Sequence, residues 1–256
     1  MSILGVIPSR YASTRLPGKP LAPIMGKSLI RRVCEQAMKC QTLDYLCVAT
    51  DDQRIADEVL SIGGRAVMTS PTHPSGTDRI AETVQILEKE GVIRPEIVVN
   101  IQGDMPFVHP LMIDEIVEAL KADSSIPMGT SVYPLAHEED YVNPAIVKTV
   151  MDLQGFALYF SRSHIPYPRS KTGLPIYDHI GIYVYRRDFL MKLSQLTPTP
   201  LEREESLEQL RVLEHGYKIK VVKSSCQDIE LAGCSVDTAE DIQWAEQLMR
   251  QRGLSG

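Results

Sequence analysis

The 256-residue chain lacks a paired-cysteine pattern, a long apolar run and any excess of positive charge. Its cysteines, Cys34, Cys40, Cys47, Cys226 and Cys234, are odd in number, and none forms a C-x-x-C pair or sits beside a metal-binding histidine. They read as free, mostly buried thiols in a reducing cytosol. No segment approaches eighteen consecutive apolar residues, and the N-terminus has no charged region followed by a long apolar stretch, so the expectation is a cytoplasmic protein. A net charge of −6 and an isoelectric point near 5.6 argue against general nucleic-acid binding and against an anionic membrane surface. There is no internal repeat, no low-complexity tract and no clean linker. Nothing resembles a Ser-His-Asp arrangement in strand-turn-helix context, which leaves a hydrolase without support. With 43% hydrophobic and 23% charged residues, a chain of this length buries a core without disulfides or a structural metal.

What is present begins with "SRYASTRLPGKPL", residues 9 to 21. The stretch carries Arg10, Arg15 and Lys19, the small residues Ala12, Ser13 and Thr14, and a Pro17-Gly18 turn, with no acid. It follows "ILGVIP", which reads as a strand buried on both faces. A strand that ends in a cationic, donor-rich loop cradles polyphosphates, because backbone N–H groups and fixed positive charges converge on one anion.

Strands and helices then alternate. "KSLIRRVCEQAMKC" sets its apolar residues on one helical stripe. "YLCVATD" and "RAVM" read as strands around the helix "DQRIADEVLSIGG", and "DRIAETVQILEKEG" is an amphipathic helix before the strand "EIVVNIQGD". This order through residue 120 predicts an α/β fold with a doubly wound, mostly parallel sheet, whose ligands sit beyond the carboxyl ends of the strands. From about 126, "MGTSVYPL", "AIVKTVMD", "FALYFSR" and "HIGIYVYRR" suggest longer, partly antiparallel strands forming a smaller β-rich lobe. "REESLEQLRVLEHG" reads as one helix, "YKIKVVKS" as a strand and "AEDIQWAEQLMRQ" as a last helix capped by the Asp237-Thr238 pair. "YPRSKTGLP", 167 to 175, reads as a loop. The expectation is one domain over 1–256, with a nucleotide half to about 125 and a sugar-binding, dimer-forming half beyond it.

Taken together, "IPSRYASTRLPGKPL", "VATDD", "SGTDRI", "NIQGDMP", "ALYFSR", "HIGIYVYR", "LEQLRVLEHG" and "SVDTAED" resemble, in order and spacing, the cytidylyltransferases that make CMP-Kdo from CTP and 3-deoxy-manno-octulosonate (Kdo). The resemblance spans nearly the whole chain. It implies a nucleotidyltransferase of the Rossmann-like class serving lipopolysaccharide biosynthesis as a cytoplasmic homodimer, with CTP, a sugar acid and Mg2+ as its partners. Activation of 8-amino-Kdo or a sialic acid, and a catalytically silent CTP-binding protein, are the alternatives.

By this resemblance Arg10, Ser13, Arg15 and Lys19 hold the triphosphate, with Lys19, Arg15 and Asp104 carrying catalysis and Lys19 nearest the α-phosphate. Ser75, Arg79 and Gln102 would read the nucleoside, although Ser75 and Thr77 serve equally as helix caps. Asp104 and Asp237 would ligate magnesium, against a capping role for Asp237. Arg162 would pair with the sugar carboxylate, and His179, Tyr183, Glu208 and Gln209 would read hydroxyls; for His179 and Tyr183 a core position is the alternative, and for Glu208 an exposed helix acid. The chain departs from the family in one place, writing Met105 where an acid usually follows the metal aspartate.

Overall fold

Apolar runs bounded by capping residues build the elements in chain order. The computed structural model describes residues 1–13, 15–170 and 172–254; Thr14 of the basic loop therefore lies outside the described residues. The strands are β1 (Ile3–Ser9), β2 (Pro23–Ile24), β3 (Lys27–Ser28), β4 (Tyr45–Thr50), β5 (Ala66–Met68), β6 (Ile97–Asn100), β7 (Met128–Pro134), β8 (Lys148–Met151), β9 (Ala157–Ser161), β10 (Tyr177–Arg186) and β11 (Ile219–Lys223). The helices are α1 (Leu29–Ala37), α2 (Gln53–Ser61), α3 (Gly76–Lys89), α4 (Pro110–Ala122), α5 (Arg187–Leu193), α6 (Pro200–Glu205), α7 (Gln209–Glu214), α8 (Ile229–Ala232) and α9 (Ala239–Gln251), with 3-10 turns at Lys19–Leu21 and Glu138–Val142. Two compact units form: Met1–Asp114 together with the segment from Cys226 onward, and Glu115–Ser225, the boundary falling inside α4.

In the first unit β1 pairs in parallel with β4, Leu4 opposite Tyr45 through Ser9 opposite Thr50, and with β6, Ile3 opposite Ile97. β5 lies outside β4, also parallel. The chain thus runs outward from β1 to β5 and then crosses back to β6 on the other side of β1. That reversal opens a crevice beyond the carboxyl ends of β1 and β6, where open α/β sheets bind ligands. Leu4, Val6, Ile7, Val48, Ile97 and Val98 are all buried, as a sheet covered on both faces requires. Side-chain caps start the helices: Ser28 on α1, Asp52 on α2 and Ser75 on α3.

The second unit carries the order β11-β7-β10, with β11 parallel to β7 and β7 antiparallel to β10. β8 pairs antiparallel with both β10 and β9. The β-rich texture read after 126 is therefore present. The single helix read over "REESLEQLRVLEHG" is instead two, α6 and α7. Ser206 stops the first in the left-handed region, at φ 53° and ψ 48°, a conformation that a right-handed helix cannot continue.

Candidate active site

Beyond the ends of β1 and β6 lies a cavity of about 350 Å3. β1 and the loop after it contribute Ser9, Arg10, Ser13, Arg15 and Lys19 to its wall; the turn into α3 contributes His73, Pro74, Ser75 and Arg79; the turn after β6 contributes Gln102, Gly103 and Asp104; and Asp237 completes it. Every residue read from the sequence for nucleotide or metal lines this one space.

Two glycines shape it. Gly18 sits at φ 69°, where glycine alone is unstrained, and the ring of Tyr11 lies so near that an added Cβ would meet its hydroxyl at 3.0 Å. The turn it permits delivers Lys19 to the start of the 3-10 turn. At Gly103 an added Cβ would lie 2.8 Å from the Pro8 carbonyl oxygen, so the two strand ends approach closely only because no side chain separates them.

Lys19 Nζ donates to Asp104 Oδ2 at 3.2 Å and to Asp237 Oδ1 at 2.9 Å, while Arg15 Nη2 lies 3.0 Å from Asp237 Oδ2. Asp237 reaches the site because the backbone N–H of Val236 donates to the Asp104 carbonyl at 2.8 Å. It does not cap α9. Thr238 does, accepting from Asp241 N at 3.3 Å, and Asp241 returns a carboxylate to the Thr238 N–H at 2.8 Å, a reciprocal capping box. The carboxylate of Asp237 is thereby left to the cations. Two carboxylates within hydrogen-bonding reach of one ammonium fit a magnesium–nucleotide complex, in which the ion takes one or two protein carboxylates and fills its shell with phosphate oxygens and water. Among the described residues no group of three or more His, Cys, Asp or Glu side chains gathers as an all-protein metal cage. Met105, where the family usually writes an acid, is 5% exposed and belongs to the core.

The nucleoside side of the cavity is built on α3. Ser75 is engaged as its cap, accepting from Asp78 N at 3.2 Å and donating to Asp78 Oδ2 at 2.7 Å. Arg79 is buried, donating to Thr69 Oγ1 at 2.5 Å and to Asp51 Oδ2 at 3.2 Å. Sequence reasoning passed over His73, which lines the cavity; its place just before the capping Ser75 was the available signal.

The residues read for the sugar all lie in the second unit. Tyr183, Glu208 and Gln209 line one small pocket with Met128 and Tyr185, and Gln209 Nε2 is buried without a hydrogen-bond partner. The break at Ser206 sets Glu208 and Gln209 at the start of α7. His179 packs between Phe160, 5.0 Å between ring centres, and Tyr183, 5.4 Å, with Nε2 3.0 Å from Thr130 Oγ1. Burial pushes its imidazole down to about 3, so it is neutral at ordinary pH, and burial raises the Tyr183 phenol. Arg162 stands apart from the small pocket: Nε donates to the Glu205 carbonyl and Nη1 to the Pro144 carbonyl, each at 2.9 Å. The buried Lys148 holds the Arg162 carbonyl at 2.6 Å. Burial drives the thiols of Cys34, Cys40 and Cys47 up to about 12, so none of the three is poised as a nucleophile.

The chain is similar to known proteins over most of its length. Residues 4–219 match the model of a cytidylyltransferase family. The 3-deoxy-manno-octulosonate cytidylyltransferase of Syntrophotalea carbinolica is 46% identical, covering 98% of this chain and 99% of its own. That of Protochlamydia amoebophila is 47% identical, over 96% and 93%. A solved CMP:2-keto-3-deoxy-manno-octonic acid synthetase in complex with CTP superposes with a TM-score of 0.89 at 38% identity, covering 98% of this chain and all of the other.

Proposed function

Because the chain belongs to the 3-deoxy-manno-octulosonate cytidylyltransferases, we propose that it transfers CMP from CTP to the anomeric hydroxyl of Kdo and releases pyrophosphate. The observation that carries the reading is the meeting of Lys19, Asp104 and Asp237, drawn from three distant segments, in one cavity beyond β1 and β6.

The sugar hydroxyl attacks the α-phosphorus in line, the bond from that phosphorus to the pyrophosphate oxygen breaks, and no protein nucleophile intervenes. Arg10, Arg15 and Lys19 hold the triphosphate, and Lys19 stabilises the charge that builds on the transferring phosphate. Ser13 and Gln102 line the same cavity and orient the nucleotide, while Arg79, on α3 and fixed by Asp51 and Thr69, is the cation of the nucleoside side. Asp104 and Asp237 would hold Mg2+, which when bound supplies charge neutralisation at the phosphate oxygens. Lys19, whose ammonium lies between the two carboxylates, would serve the α-phosphate.

The first unit is thus the nucleotide unit, and the second the sugar unit. There Glu208, Gln209 and Tyr183 read hydroxyls beside the neutral His179, and Arg162 takes the carboxylate through the part of its fork not spent on carbonyls. A homodimer is supported by apolar side chains exposed around the β8–β9 hairpin, Leu153 at 100% and Leu158 at 61%. The chain's family supports the reading of a cytoplasmic enzyme of lipopolysaccharide biosynthesis; among the described residues no helix is long and apolar enough to cross a membrane. The test is pyrophosphate release from CTP and magnesium with a panel of sugar acids. Release with Kdo well above 8-amino-Kdo and sialic acids is expected; CTP binding without release on any acid would replace the enzyme with a nucleotide sensor.

A further inference from the structure

One carboxylate ties together two points of the loop between β5 and α3. Glu82, in the second turn of α3, accepts from the backbone N–H of Ser70 at 2.8 Å, and the same oxygen, Oε2, lies 2.6 Å from His73 Nε2. Burial alone would raise the Glu82 carboxyl, but the hydrogen bonds from His73 and Ser70 outweigh it and hold it below the usual range. One side chain therefore fixes both the entrance of the loop and the ring near its end. His73 belongs to the cavity wall, is 19% exposed along its side chain, and its Nδ1 has no partner among the described residues. A carboxylate on Nε2 sets the proton there and the ring plane with it, leaving Nδ1 as the polar atom available to a ligand.

We propose that His73 is a further nucleotide-contacting residue and that Glu82 is its positioning residue, so that the affinity for CTP depends on a pair the reaction chemistry does not touch. The inference rests on reading the cavity as the nucleotide site. His73 stands on the same wall as Ser75 and Arg79, whose side chains are already committed to the α3 cap and to Asp51 and Thr69. On that wall the imidazole is a polar group with an atom to spare. A flat ring held at both its plane and its proton loses little freedom when a ligand docks against it.

The experiment is a double-mutant cycle read by CTP binding in the absence of sugar, measured calorimetrically for the native chain, His73→Ala, Glu82→Gln and the double variant. His73→Ala is expected to weaken CTP by about tenfold, the loss of one well-placed hydrogen bond. It should leave the KM for the sugar acid unchanged. Glu82→Gln is expected to weaken CTP by about threefold or more in the native background and to have no further effect once His73 is gone, because a residue that acts through another is silent without it. Native CTP affinity in His73→Ala would overturn the contact. Equal losses from Glu82→Gln in both backgrounds would reduce Glu82 to a structural prop. If Glu82→Gln melts too early to titrate, His73→Ala alone decides the contact, and Glu82→Asp, which keeps the charge but shortens the reach, replaces it in the cycle. A chain that binds CTP through His73 yet transfers nothing to any acid would sink the proposed reaction and leave this inference standing.

Discussion

The ammonium of Lys19 touches two carboxylates that lie 85 and 218 positions away in the chain. Its side chain is 17% exposed and its contacts are to charged groups, so its removal should disturb chemistry more than packing. Lys19→Ala is expected to lower turnover by about a hundredfold or more, the scale of losing one electrostatic donor to the transition state. An unchanged circular dichroism spectrum should accompany it, and near-native turnover would remove Lys19 from the mechanism. Asp237 separates two chemistries more sharply. From sequence alone "SVDTAED" offers two capping residues side by side, and propensity cannot say which one caps, because aspartate and threonine both do so well. The fold decides for Thr238 and turns Asp237 toward the cations. Asp237→Asn should therefore abolish most magnesium-dependent turnover with little change in melting temperature, since an amide is a poor ligand for a hard cation. Full activity with a lowered melting temperature would return Asp237 to a structural role.

Among the elements, those of the first unit were the most legible. β4, α2 and β5 stand where the apolar period and the flanking caps put them, because strands covered on both faces must be continuous apolar runs and their helices must show one apolar stripe. The break between α6 and α7 was not legible: "REESLEQLRVLEHG" has the period and the helix formers of one helix, and Ser206 carries no sign of a left-handed backbone. That conformation costs a residue with a Cβ about 1–2 kcal/mol. Tertiary contacts hold it there, among them the bidentate pair of Arg211 with Glu202 at 2.8 and 2.5 Å. Ser206→Gly is accordingly expected to raise the melting temperature by about 2–4 °C by removing that strain. A drop would mean that the serine hydroxyl matters more than the backbone. If glycine there also leaves the KM for the sugar acid unchanged, the break serves to present Glu208 and Gln209 and the particular residue making it is incidental.

Over the whole molecule, acid stability should be set in part by two neighbours of opposite sign. His179 is neutral in the fold, its imidazole pushed from 6.5 to about 3 by burial. The unfolded chain thus binds more protons than the native one between those values, and the stability present above pH 6.5 is lost as the pH falls. Asp178 runs the other way. Burial raises its carboxyl to about 6, so its contribution is fully present below 3.8 and is lost as the pH rises through 6. Between about pH 4 and 6 the two oppose each other. Asp178→Asn is expected to make stability fall more steeply on acidification, and His179→Asn less steeply, each by up to about 1.4 kcal/mol per pH unit in denaturant titrations. Parallel pH profiles for native and variant would show that neither group is held as described. At this scale the sequence was read as two consecutive halves, and nothing in the composition of residues 226 to 254 marks them as partners of the first strands. Among the contacts that join them is a backbone hydrogen bond, Val236 to Asp104, made by groups that every residue but proline carries and no sequence pattern advertises.

That same hydrogen bond sets an order of events at the ribosome. The loop that carries Lys19 and the turn that carries Asp104 leave the exit tunnel early and can fold as the chain is made, but Asp237 is the last of the cavity-lining residues to be synthesised. A nascent chain arrested before that point would present the basic loop and one aspartate without the second. On the proposed reading such a chain would carry the phosphate-binding loop but only one of the two carboxylates for the metal, so competence for transfer would arrive only once Asp237 has been made.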